Sequence, residues 1–183
     1  GSDDIRGEEG ALRMAKYVAC ICEGGAERAI IDLLLDNHML VFDREQLLEE
    51  EVLRCRSAKE FEDKYLRKGF REKITVYRIL DSRRENFKLS TIYQSKIDVI
   101  NVVTAPEIEI LIIYNEGKYK EFKNSGEKPS VYCKSTLRYK DVKSYDFIQK
   151  YFADINVLKR ALHEYRRVSK VQKDEIALYD LLK

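Results

Sequence analysis

Four short apolar runs, each closed by a polar residue and separated by stretches of helical spacing, set the narrowest limits on what this chain can fold into. Tyr17 to Cys22 (YVACIC) has the length and continuous apolarity of a buried strand, and Glu23-Gly24-Gly25 ends it. Ala26 to Asp36 then puts Ala29, Ile30, Leu33 and Leu34 on one helical face. Met39 to Phe42 reads as a second strand. Glu45 to Leu53 and Ser57 to Arg67 read as helices, the latter capped by Ser57 with Glu60 three residues on. Ile74 to Leu80 (ITVYRIL) is a third strand, stopping at Asp81, and Ile97 to Val103 (IDVINVV) a fourth. Thr104-Ala105-Pro106-Glu107 is expected to open a helix, with Thr104 as cap, Pro106 in the first turn and Glu107 closing a capping box; Gly117 is placed to end it. Past Lys118 the pattern is mostly helical, best formed over 144–152, 153–165 and 174–182.

Strands alternating with helices predict an α/β fold, a Rossmannoid parallel sheet of about four strands flanked by helices, with a helical C-terminal extension. Residues 1–13 are polar, begin Gly-Ser and precede Met14. They read as an expression remnant or a mobile leader, so the α/β domain is expected over 14–117 and the helical extension packing on it over 118–183.

With 44% hydrophobic and 36% charged residues the chain is expected to be globular rather than disordered. No apolar run is long enough to cross a bilayer, and no apolar segment follows a basic start, so the expectation is a cytoplasmic protein without membrane contact. Cys20, Cys22, Cys55 and Cys133 form no C-x-x-C pair, which argues for buried thiols in a reducing compartment. His38 and His163 each stand alone, so histidine-based hydrolysis and zinc chemistry lack support. The net charge of +2 hides an asymmetry. Lys118 to Lys173 holds 15 Lys and Arg against 6 Asp and Glu, and the remainder is net acidic. Either a metal site lies beside a polyanion-binding surface, or these are solvated helix faces. Tyr119, Tyr132, Tyr139, Tyr145, Tyr151 and Tyr165 interleave with the basic residues, a pattern that suits single-stranded nucleic acid or, more simply, core tyrosines on amphipathic helices.

In parallel sheets the working site lies beyond the carboxyl ends of the strands. Glu23 would project from one such end and Glu27 from the first helical turn after it, with two glycines between them leaving room for a ligand. Asp81 ends another strand, and Glu109 follows a fourth. Clustered carboxylates repel one another and a divalent cation relieves the repulsion; oxygen ligands alone favour Mg²⁺ or Mn²⁺. Arg83, Arg84 and Lys88 follow Asp81 and are candidate phosphate contacts. The plainer alternatives are a dipole-stabilised Glu23 and Glu27, and an Asp81 that only caps a turn.

These residues resemble a known family. Cys22-Glu23-Gly24-Gly25-Ala26-Glu27 looks like the E-G-x-x-E motif of Toprim domains, the catalytic folds of type IA and II topoisomerases, bacterial primases and small nucleases of the OLD and ribonuclease M5 kinds. Ile79-Leu80-Asp81 resembles the Asp-x-Asp strand end of that family, and the segment from Thr104 to Glu109 resembles the N-P-x-x-E segment of RloB-type proteins. The resemblance covers roughly residues 15–117 and implies a Toprim-like fold, acid/base or metal-binding work for Glu23, and metal coordination by Asp81. Arg83 stands where the second Asp of Asp-x-Asp would be, leaving Glu85 or Glu109 to supply the missing carboxylate. The expected function is a Mg²⁺-dependent phosphodiester hydrolase acting on DNA or RNA, in which Glu23 is catalytic. The rivals are a weakly active or inactive module that binds nucleic acid or protein, and a phosphatase or nucleotide hydrolase served by the same site. An oligomer is compatible with either class.

Overall fold

The order in which the strands pair decides where a site can form. The computed structural model describes residues 18–70, 72–81 and 86–183. Its elements in chain order are β1 (Val18–Cys22), α1 (Gly25–Asp36), β2 (Leu53–Arg54), α2 (Ala58–Phe61), β3 (Ile74–Leu80), α3 (Thr91–Gln94), β4 (Ile97–Val103), α4 (Ile110–Asn115), α5 (Tyr119–Ser125), α6 (Pro129–Ser135), α7 (Tyr145–Tyr151), α8 (Ile155–Val168) and β5 (Glu175–Ile176). The proposed leader, Met14 and Tyr17 lie outside the described residues.

All strand pairings in the sheet are parallel, in the order β2-β1-β3-β4-β5. The chain therefore steps from β1 outward to β2 and returns to place β3 on β1's other side. At that reversal the connections leave toward opposite faces and a crevice opens beyond the strand ends. Side chains alternate across β1: Cys20 and Cys22 join the core with α1, α4 and α8, while Ala19 and Ile21 join a second core with Ala58, Phe61, Leu66 and Leu89. Helices beyond residue 117 belong to the first of these cores, with α7 lying along α1 and α8 along α4.

β3 and β4 occupy the spans that their apolar runs predict. Ser57 caps α2, its hydroxyl accepting the Glu60 N–H, and the turn widens into a π-helical stretch over Glu62–Leu66. Gly117, at φ 66°, ends α4 in the left-handed conformation expected of it.

Other elements differ from the sequence expectation. Met39 to Phe42 is not a strand of the sheet; Leu40 makes only an isolated antiparallel bridge to Leu182. The Val41 N–H donates to Leu181 O and the Lys183 N–H to Met39 O, so it pairs with the chain's C-terminal end. The segment 45–53 is not a helix. Extended backbone at Leu47 divides it into two 3-10 turns, and Glu49 and Glu50, at φ of 62° and 57°, stop the second before Leu53–Arg54 joins β1 as the edge strand. The segment 174–182 is β5 followed by a 3-10 turn, so the C-terminal extension is not wholly helical and supplies a fifth strand, paired with Asn101 and Val102. No capping box forms at Thr104, because its N–H and hydroxyl both donate to Leu80 O, extending the β3–β4 pairing, and α4 begins only at Ile110. The Ala105–Pro106 peptide in this turn is cis.

Among the described residues no helix is long and apolar enough to cross a membrane.

Candidate functional site

A cleft of about 170 Å³ opens at the β1/β3 reversal, lined by Glu23, Gly24, Gly25, Ala26, Glu27, Ile79, Leu80, Asp81, Glu109 and Lys143. All four carboxylates singled out in the sequence thus face one space. Glu23 ends β1, Glu27 sits in the first turn of α1, Asp81 ends β3 and Glu109 leads into α4. Arg54 on the edge strand donates from Nε to Glu23 O at 3.2 Å, tying the end of β1 to its neighbour.

The two glycines have separate jobs. A Cβ on Gly24 would lie 2.3 Å from Glu27 Oε2, so the bare Cα is what lets that carboxylate fold back over the turn. A Cβ on Gly25 would meet the backbone N of Tyr145 at 3.3 Å and Lys143 O at 3.6 Å. Gly25 therefore lets the start of α7 close on the start of α1, and that approach brings Lys143 to the cleft.

The electrostatics are lopsided. Burial raises the carboxyl pKa of Glu27; its own backbone N–H pulls the other way, and the charge of Asp81 raises it further. Glu109 is only 4% exposed. Burial pushes it up to about 7, against the help of its own N–H and Lys143 and with added repulsion from Glu107 and Glu27. Among the described residues that line the cleft the one cation is Lys143, and it is already engaged: its Nζ donates to Glu107 Oε2 at 2.9 Å and stands 4.0 Å from Glu109 Oε1.

Glu107 itself is satisfied. Burial alone would raise it, but the Ser130 N–H, the Lys143 ammonium and the Ser130 hydroxyl outweigh burial and hold it below the usual carboxylate range. Its role is to anchor Lys143 and the N-terminal end of α6, in place of the capping box.

Oxygen donors of this kind suit a hard divalent cation. The carboxylates line the cleft without being drawn together: among the described residues no three His, Cys, Asp or Glu groups already form a coordination shell. A cation there would be held by Glu27, Asp81 and Glu109, which line the cleft from the first turn of α1, the end of β3 and the lead into α4.

Arg83, Arg84 and Glu85 lie outside the described residues. Lys88 is exposed and is not part of the cleft lining. Of the interleaved tyrosines, Tyr132 and Tyr165 are buried, and the hydroxyls of Tyr145, Tyr151 and Tyr165 donate to Asp32, Glu116 and Ala105 O. Those are framework contacts. Sequence patterning missed Lys143. The signal for it was slight: Ser144 is a good helix cap, its hydroxyl accepting the Phe147 N–H, so the residue before it sits at a helix start.

Compared with protein-family models, with curated proteins and with solved structures, the chain shows no match.

Proposed function

We propose that the chain is a Toprim-like, Mg²⁺- or Mn²⁺-dependent phosphodiester hydrolase acting on nucleic acid, with the β1/β3 cleft as its active site. The observation that carries this reading is the gathering of Glu23, Glu27, Asp81 and Glu109 around one cleft at the sheet's reversal point, where the one lysine among the described lining residues is already paired with Glu107. Such an arrangement leaves negative charge in excess where burial makes it costly, and a divalent cation relieves that excess. Bound there, Mg²⁺ supplies stabilisation of the charge that develops on a phosphoryl oxygen.

The chain's own residues do the rest. Glu27, Asp81 and Glu109 hold the cation. Glu23, half-buried at the end of β1 and beside the Gly24–Gly25 gap, is placed to take a proton from the attacking water and return one to the leaving oxygen. Arg83 and Arg84 follow Asp81 in sequence and are assigned to the phosphate. Four free, buried cysteines fit a reducing, cytoplasmic setting.

The test is cleavage of labelled single- and double-stranded DNA and RNA with Mg²⁺ or Mn²⁺, set against EDTA and against Glu23→Gln. Metal-dependent cleavage lost in the variant supports the assignment; cleavage that survives EDTA or the variant removes it. The second reading, a nucleic-acid-binding module with little turnover, is favoured by Arg83 at the position of the family's second Asp. Metal-independent binding of nucleic acid without cleavage identifies it.

A further inference from the structure

The carboxylate cleft does not end at its own walls. Asp81 also lines a shallower recess of about 240 Å³ with Pro106, Glu107 and Lys128. Pro106 in turn lines a third recess of about 460 Å³ with Ala105, Tyr119, Tyr165, Val168, Ser169 and Lys170. Asp81 and Pro106 each line two of these recesses and so set the three side by side, from the cleft across the Thr104–Glu107 turn to the C-terminal end of α8, a row that reads as one groove.

The chemistry changes along it. The first segment is acidic, the second brings in Lys128 from the α5–α6 turn, and the last combines an aromatic wall with Lys170. Tyr119 is half-buried and stacks on Tyr114, ring centroids 5.0 Å apart. Tyr165 is held beneath, its hydroxyl bonded to Ala105 O at 3.0 Å. The groove wall is therefore a braced aromatic surface whose outer ring is Tyr119. Lys128 and Lys170 are exposed at its sides, with Lys118 and Lys120 exposed next to Tyr119.

We infer that this groove is the track for a single-stranded nucleic acid, which lays a base against Tyr119 and its phosphates along Lys170 and Lys128 before reaching Asp81. A duplex keeps its base faces inside the stack and has none to offer the ring, whereas a single strand presents a π-face with every nucleotide. The inference deepens the hydrolase reading by naming the strandedness of the substrate and its path, and it rests on that reading only for the strand's final step into the cleft.

The experiment is fluorescence anisotropy of a short labelled single strand, in DNA and RNA forms, and of the matching duplex, all in EDTA so that no cation or cleavage enters. The wild type is expected to bind the single strand more tightly than the duplex. Tyr119→Ala should weaken single-strand binding about tenfold, while Tyr119→Phe, which keeps the ring, stays near wild type. Lys128→Gln with Lys170→Gln, exposed positions whose loss leaves the core untouched, should flatten the log–log salt dependence by about 1.4, roughly 0.7 for each phosphate contact. Duplex bound as tightly as single strand, Tyr119→Ala bound like wild type, or an unchanged salt slope in the lysine pair each overturns the track. Binding that depends on these residues in a wild type that cleaves nothing with Mg²⁺ supports the track and removes the hydrolase. Cleavage in a wild type whose binding ignores these residues does the reverse.

Discussion

Helix α1 carries acids at both ends, and the two ends have opposite electrostatic fates. Toward its C-terminal end, Asp32 accepts Arg44 Nη2 at 3.0 Å and the Tyr145 hydroxyl at 2.6 Å, and Asp36 accepts the same Arg44 nitrogen at 2.9 Å. Those carboxylates are matched by donors that hold Arg44 and α7 in place. At its N-terminal end, Glu27 faces Asp81 and Glu109 across the cleft, and burial raises it by more than its own N–H and Lys143 lower it. An acid that has its counter-charge is architecture. A group of acids left short of counter-charge in a partly dry cleft is poised for a ligand that brings positive charge.

The largest effect that separates the two ends is on catalysis. Glu23→Gln should lower metal-dependent cleavage by about 10²–10⁴-fold with the fold intact, because an amide neither accepts nor returns a proton at neutral pH. Asp32→Asn, on the neighbouring helix α1 but in the matched cluster, should leave turnover within a few-fold. Single-turnover rates on both variants check this; equal losses would erase the distinction.

Stability should move in opposite directions. Glu109 has a folded pKa of about 7 against an ordinary value of 4.5, so the folded protein holds the extra proton between those values. Stability from this group is therefore full below about pH 4.5 and is lost as the pH rises through about 7. Glu109→Gln should raise the stability of the metal-free protein above pH 7, by at most about 3 kcal/mol, with the gain vanishing toward pH 4.5. Asp32→Asn should cost about 1–2 kcal/mol near neutral pH through its weakened bonds to Arg44 and Tyr145. Denaturant melts across pH measure both, and a Glu109→Gln protein that is less stable at pH 8 would contradict the picture of uncompensated charge.

How much of this could be read from the chain differs by element. Ile74–Leu80 and Ile97–Val103 were legible because continuous β-branched and apolar runs of that length pair on both sides within the sheet. Leu53–Arg54 and Glu175–Ile176 were not, since two residues carry no period and only their neighbours' open edges make them strands. The same holds at the site. Glu23, Glu27 and Asp81 were legible as polar residues closing strands or opening a helix, and the Gly-Gly step marked the turn. Lys143 was not, because it reaches Glu107 across 36 positions through the Gly25–Tyr145 approach, which no local pattern encodes.

A smaller effect probes how Glu27 is held. Gly24 has ordinary extended backbone, so Gly24→Ala introduces no backbone strain, but the new methyl displaces the Glu27 carboxylate from over the turn. Cation affinity should fall roughly tenfold, as when a supporting group of a metal site is lost. The melting temperature should barely change, since the displaced atoms are the free end of a flexible side chain. Thermal shift with and without Mn²⁺ reads both.

The central claim is that Glu27, Asp81 and Glu109 take up a divalent cation in the cleft they line. Calorimetric titration of the protein with Mn²⁺ at pH 6 and pH 8 tests this most directly. One site is expected, tighter at pH 8 because the Glu109 proton no longer competes, with proton uptake by the buffer at pH 6 and loss of binding in Glu27→Gln with Asp81→Asn. No binding at either pH, or binding indifferent to pH and to both substitutions, would contradict it.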